Sequence, residues 1–145
     1  DLYGLKTVIF RYFNVYGDRQ PVRGQYAPVI GIFLRQLAAG EPLTIVGDGE
    51  QRRDFVNVLD ICRANIMAAI SNPDDDAYGQ VYNVGTGINY SVNQIAEMFN
   101  TETKYIPARK GEARISLANT EKIYNTFAWR PQVDLEKWIE NKING

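Results

Sequence analysis

Thr7-Val8-Ile9-Phe10-Arg11-Tyr12-Phe13-Asn14-Val15-Tyr16-Gly17 is the stretch on which the fold class turns. Its first four residues form a β-branched and aromatic run without polar alternation, the pattern of a strand covered on both faces in a parallel sheet. The run then opens into Asn14-Val15-Tyr16-Gly17-Asp18-Arg19-Gln20-Pro21, which reads as a loop. Ligands of open parallel sheets collect at the carboxyl ends of strands, so position alone makes this boundary a candidate site. Taken singly, Tyr12, Phe13 and Tyr16 read first as packing aromatics. Asn14 differs, because an amide offers a sugar or phosphate both a donor and an acceptor.

Outward from this strand, residues 28–39 place Val29, Ile30, Phe33, Leu34 and Leu37 at helical spacing. Pro28 suits the first turn of that helix and Gly40 its C-terminal cap. Leu43-Thr44-Ile45-Val46 predicts a short strand, followed by the turn Gly47-Asp48-Gly49-Glu50. Phe55, Val56 and Val58 predict another strand. Asp60 is then placed to cap a helix with Ile61, Ala64 and Ala68 on one face, ending at Asn72-Pro73-Asp74-Asp75-Asp76. Val81-Tyr82-Asn83-Val84 predicts the next strand, closed by Gly85-Thr86-Gly87. Ser91 and Gln94 have the spacing of a capping box ahead of Ile95, Met98 and Phe99. Lys104-Tyr105-Ile106-Pro107 predicts an edge strand, since proline cannot donate to a ladder. Asn119 and Asp134 are candidate caps for two last helices, the second carrying Leu135, Trp138 and Ile139. This alternation specifies an α/β chain, without a repeat or a linker long enough to divide it. Residues 8–11 are expected to pair in parallel with 81–84, and residues 43–46 to lie in a smaller sheet near 104–107.

The 145 residues are 45% hydrophobic and 12% aromatic, enough for one core. Sixteen basic against seventeen acidic residues leave a net charge of -1, so no overall field draws the chain to nucleic acid or a membrane. An anionic ligand must then be held by locally placed arginines. The lone Cys62 excludes an internal disulfide, and the absence of histidine excludes Cys/His zinc sites, Ser-His-Asp triads and Cys-His pairs. No apolar run approaches the roughly 20 residues needed to cross a bilayer, and no basic-then-apolar leader opens the sequence. A reducing, cytoplasmic setting is the expectation. Asp1-Leu2-Tyr3-Gly4-Leu5 enters the first strand without an initiator methionine, which reads as part of a longer chain.

Two arginine-bearing segments stand out, Arg52-Arg53-Asp54-Phe55 and Arg109-Lys110-Gly111-Glu112. A guanidinium presents a planar fork matching two phosphate oxygens, so two that converge would suit a diphosphate. Each alone reads first as a surface charge or an ion-pair partner, such as Arg53 with Asp54 or Asp60. Gly47-Asp48-Gly49 and Gly85-Thr86-Gly87 do not continue as phosphate-binding fingerprints and are read as turns. Asp74-Asp75-Asp76 lacks the ligand pattern of a calcium loop, so no metal is expected.

The ordered set RYFNVYGDRQ (11–20), PLTIVGDGEQRRDFVNVLD (42–60), VYNVGTG (81–87) with Ser91, and ARKGEARISLANTEKI through WRP (108–131) spans nearly the whole chain. It resembles the latter half of the extended short-chain dehydrogenase/reductase family, among its NAD-dependent epimerases and dehydratases such as the UDP-sugar 4-epimerases. The resemblance implies an α/β fold made of the C-terminal part of a Rossmann-type parallel sheet plus a small mixed α/β substrate-binding domain. Residues 1–145 would be the nucleotide-sugar-binding portion, with the N-terminal dinucleotide-binding part absent.

The same resemblance implies roles. Phe13, with Tyr12 beside it, would pass the nicotinamide end of NAD, and Asn14 would contact the sugar or diphosphate. Arg53 and Arg109 would clamp the diphosphate, and Glu112 would lie near the nucleotide ribose. Thr44, Ile45 and Val46 would line the uracil or thymine pocket, and Val29 would begin the helix covering the nucleotide. The implied ligands are a UDP- or dTDP-sugar and NAD. In such enzymes a tyrosine with a nearby lysine removes a hydroxyl proton as hydride passes to NAD, and the 4-keto sugar is re-reduced from its other face. The family carries that pair as Y-x-x-x-K and its cofactor loop as G-x-x-G-x-x-G, and this sequence contains neither. No catalytic residue is therefore assigned, and the chain alone is expected to be inactive. Pro28 stands where many epimerases have asparagine, and Asn119 where aspartate is common, which leaves the sugar open. The alternatives are a 4,6-dehydratase, decarboxylase or reductase on the same scaffold, or a binding module docking on a separate dinucleotide-binding chain. An unpaired edge on the first strand would favour a homo-oligomer.

Overall fold

The computed structural model describes residues 3–24, 27–109 and 111–145. Asp1, Leu2 and Lys110 of the stretches quoted above lie outside the described residues. The expected parallel pair is formed by β1 (Ile9–Tyr12) and β5 (Val81–Val84), in register from Ile9 opposite Val81 to Tyr12 opposite Val84. The smaller sheet joins β3 (Leu43–Val46) to β7 (Thr103–Ile106), also in parallel. Between them lies a third sheet of β2 (Asn14–Tyr16), β4 (Arg52–Asn57) and β6 (Asn89–Ser91). There β4 is parallel to β2 and antiparallel to β6.

Among the described residues five α-helices complete the α/β fold: α1 (Val29–Ala38), α2 (Val58–Ile70), α3 (Val92–Met98), α4 (Glu121–Phe127) and α5 (Leu135–Asn144). The local signals behave as their chemistry requires. Pro28, with its fixed φ, precedes α1, and Gly40 follows at φ 66°, a conformation that glycine adopts without a Cβ penalty. The Ser91 hydroxyl accepts from the Gln94 N–H while the Gln94 side chain accepts from the Ser91 N–H, a complete capping box. Asp134 caps α5 by accepting from Lys137.

Five expectations need correction. The first strand is not covered on both faces, since Ile9, Arg11 and Tyr12 are exposed and β1 has a strand partner on one side only among the described residues. Residues 14–16 are a strand, not a loop, because Asn14 to Tyr16 find partners in Phe55 to Asn57, about forty positions away in sequence. Val58 opens α2 rather than ending a strand, and the cap is Asn57, whose Oδ1 accepts from the Leu59 N–H at 2.9 Å. Asp60 instead sits fully buried inside the first turn. Its carboxylate accepts from the Gln132 and Val133 N–H groups at 2.9 and 3.1 Å and pairs with Arg63, bolting α2 to the segment after Trp129. Thr120, not Asn119, is the residue flanking α4, although Asn119 Oδ1 accepts from the Glu121 N–H at 3.0 Å. Strand β6 and a 3-10 turn at Asp75–Ala77 had no distinct sequence signal.

Two apolar clusters hold these layers. One gathers Ile30 and Phe33 of α1, Leu43 and Ile45 of β3, Phe55 of β4, and Ile95 of α3. The other gathers Val56 of β4, Ile61 of α2, Tyr82 and Val84 of β5, and Phe127 and Trp129. Adjacent residues of a strand point to opposite faces, so β4 presents Phe55 to one cluster and Val56 to the other. This strand is the shared wall of the molecule, and the residues that flank it are placed accordingly. No described helix is long and apolar enough to cross a membrane.

Candidate functional site

A cavity of about 220 Å³ opens between the start of α1, β3, β4 and the segment that follows β7. Its apolar lining includes Val29 and Ile32 of α1, Val46 of β3, Phe55 of β4, Val92 and Ile106. Its polar lining is Asn14, Thr44, Gln51, Arg53, Arg109 and Glu112. Two guanidiniums against one carboxylate leave the charged lining formally positive. Hollows of about 840 and 750 Å³ exist elsewhere, but they are more open to solvent and contain neither arginine.

Each placement follows from local structure. The alternation of β3 buries Leu43 and Ile45 and turns Thr44 and Val46 toward the cavity. Of the three β3 residues expected at the nucleobase, Ile45 therefore contributes its side chain to the core instead. Thr44 is fixed by Gln36 of α1, which donates to the Thr44 hydroxyl at 2.9 Å and accepts from the Thr44 N–H at 3.1 Å. Gln51 donates to the Val46 carbonyl at 3.0 Å. Arg53 is anchored by donation to the Arg52 carbonyl at 2.9 Å and reaches Glu112 at 3.2 Å, across the cavity, with its side chain only 16% exposed. Asn14 donates to the Asp54 carbonyl at 3.2 Å, which fixes its amide at the junction of β2 and β4. Gln51, Phe55, Ile32, Val92 and Ile106 were not singled out from the sequence, and a glutamine after a glycine turn or an apolar residue in a core pattern carries no signal that could have marked them.

Tyr12 and Phe13 lie outside this cavity. Tyr12 is 45% exposed, and its hydroxyl accepts from Asn65 of α2 at 2.9 Å. Phe13 packs against the second apolar cluster. The described residues also lack a cradle for a dinucleotide. The 47–49 turn leads to β4 rather than into a helix, and in the 85–87 turn the Thr86 and Gly87 N–H groups already donate to the Asp54 carboxylate. A phosphate would find no free amide nest there. The described residues do not by themselves fit NAD.

Residues 1–85 match the model of the NAD dependent epimerase/dehydratase family. The chain belongs to that family. A UDP-glucose 4-epimerase of Mycolicibacterium smegmatis is 33% identical over 149 aligned positions, which cover 99% of this chain and 46% of that protein. The crystal structure of a UDP-glucose 4-epimerase from Thermotoga maritima with UDP-glucose superposes with a TM-score of 0.87 at 37% identity, over 98% of this chain and 46% of the other. The UDP-glucose 4-epimerase of Thermus thermophilus in complex with NAD gives 0.80 at 32% identity, over 99% of this chain and 47% of the other. This epimerase/dehydratase-family chain thus spans about half the length of the relatives it matches, 46% and 47% in these three cases.

Proposed function

We propose that this chain is the nucleotide-sugar-binding part of an NAD-dependent nucleotide-sugar 4-epimerase, acting on a UDP- or dTDP-linked sugar. The observation that carries the reading is that Arg53 and Arg109, 56 positions apart in sequence, line one cavity together with Asn14. A diphosphate bears charge on several oxygens, and two guanidinium forks can hold it through paired, charge-assisted hydrogen bonds. The apolar faces of Val29 and Val46 and the hydroxyl of Thr44 then suit a pyrimidine base, and Glu112 is placed to accept from ribose hydroxyls. Asn14 would meet the sugar side of the diphosphate, near the carboxyl end of β1, where Tyr12 and Phe13 would adjoin the cofactor held mainly by residues outside this chain. NAD would supply hydride acceptance and return when bound, while this chain binds and orients the nucleotide.

No tyrosine precedes a lysine by four positions, so the chain alone lacks the base for proton removal. It is expected to bind UDP yet leave UDP-glucose unconverted in the presence of NAD, and formation of UDP-galactose would overturn the second half of that statement. Calorimetric titration with UDP tests the first half. Arg53→Ala and Arg109→Ala should each raise Kd by about tenfold or more, the scale of one charge-assisted hydrogen bond. Unchanged affinity in both variants removes the clamp and the reading with it.

A further inference from the structure

The buried carboxylate of Asp54 belongs to no ion pair among the described residues, yet each of its oxygens accepts two hydrogen bonds. The Thr86 N–H and hydroxyl donate to Oδ1 at 2.7 and 2.8 Å. The Gly87 and Ala118 N–H groups donate to Oδ2 at 2.9 and 3.1 Å. Asp54 is 0% exposed, and burying a charge is costly unless its lone pairs are satisfied. A cost of that kind, met by four neutral donors from two separate segments, fixes those segments relative to β4. Gly85 completes the junction by allowing close approach: a Cβ there would stand 2.5 Å from the Ala118 Cβ and 2.9 Å from Asp54 Oδ2.

The 86–87 turn does not line the cavity, but β4 does, through Arg53 and Phe55, and Ala118 ends the segment that begins at the cavity with Arg109 and Glu112. Asp54 follows Arg53 in β4, and its carbonyl accepts from Asn14. Its bond to Ala118 holds the far end of the segment that carries Arg109 and Glu112. Between these points the Arg52 N–H donates to the Arg114 carbonyl at 2.8 Å, and the Ser116 N–H donates to the Arg52 carbonyl at 3.0 Å. We propose that Asp54 is a positioning residue for the nucleoside-diphosphate cavity: its carboxylate helps lock residues 112–118 against β4, so that Arg109 and Glu112 face Arg53 and Asn14 before ligand arrives. This rests on the function proposed above, and extends it to a residue that does not line the cavity.

Titration of the full 145-residue chain with UDP separates positioning from mere support, because it reads affinity and the binding-competent fraction independently. Asp54→Asn turns an amide toward N–H donors. It should raise Kd for UDP about tenfold or more, the equivalent of one charge-assisted hydrogen bond, with the competent fraction unchanged. A reduced competent fraction at wild-type Kd overturns the proposal. Thr86→Val removes one donor of the four and covers the case in which Asp54→Asn does not fold. It should raise Kd by a smaller factor, and Thr86→Ser should restore it. Equal affinities across wild type, Thr86→Val and Thr86→Ser would also overturn the proposal. Hydrogen exchange without ligand supplies a readout independent of UDP. Thr86→Val should speed exchange at residues 112–118 while β3 and β7 keep wild-type protection, and uniform acceleration or none counts against the idea. Should wild type bind no UDP, the proposed function fails, and the exchange pattern alone decides whether Asp54 orders the segment.

Discussion

Tyr16 ends β2 with its ring edge-on to Trp138, 5.0 Å between centroids, and its buried hydroxyl makes no well-formed hydrogen bond among the described residues. Burial pushes its ionisation up to about 12 from 10.0, with the nearby Asn57 side chain opposing the shift. A folded value above the unfolded one means the contribution to stability is whole below pH 10 and is lost as pH rises toward 12. Tyr16→Phe should flatten that alkaline loss. At pH 7 it should stay within about 0.5 kcal/mol of wild type in urea denaturation, because an unpaired buried hydroxyl contributes little. Asp48 shows the opposite sign. The Arg114 guanidinium hydrogen-bonded to it, with the Glu50 N–H, holds its carboxyl down to about 2 from 3.8. Its contribution is therefore present above pH 3.8 and disappears as pH falls toward 2. Because this pair is exposed, Asp48→Asn should lower the urea midpoint only slightly at pH 7 and not at all at pH 2, and a difference that grows on acidification would contradict the assignment.

Elements differ in how much of their stability is local. The Ser91–Gln94 capping box lies within four residues, and Ser91→Ala should destabilise the chain by about 1 kcal/mol in urea denaturation. The turn at Gly85 leaves no room for a side chain beside Ala118 and Asp54, so Gly85→Ala should cost about 1–3 kcal/mol through overcrowding, measured the same way. Legibility from sequence follows this division. β3, β5 and the α3 cap were legible because their signals are runs or fixed spacings. β2 and β6 were not, since each is three residues long and exists by pairing with β4. Asp60 looked like a cap because the backbone groups it serves, at Gln132 and Val133, lie 72 and 73 positions away.

At the scale of the whole molecule, β1 pairs only with β5 among the described residues, leaving its other edge open. Ile9 on that strand is 47% exposed, and Val81 opposite it is also exposed. Open strand edges with apolar side chains recruit further strands. Sedimentation velocity should show concentration-dependent self-association, and Ile9→Lys should reduce it. A monodisperse monomer at all concentrations would show that the edge is protected.

Sequence alone determined the α/β class, the parallel pairing of the first strand with 81–84, the nearness of 43–46 to 104–107 and the family, because β-branched runs, turn glycines and ordered motifs act over a few residues and persist whatever surrounds them; the parallel direction of the β3–β7 pair came only from the fold. The tertiary structure decided which side chains share a space: Thr44 and Val46 in the cavity with Ile45 in the core, Arg53 facing Glu112, and Asp54 buried against the 86–87 turn and Ala118. The physical reason is that a guanidinium or carboxylate in sequence carries charge and donors or acceptors but no address. Its partner is chosen only when strands and loops far apart in the chain close around the same core.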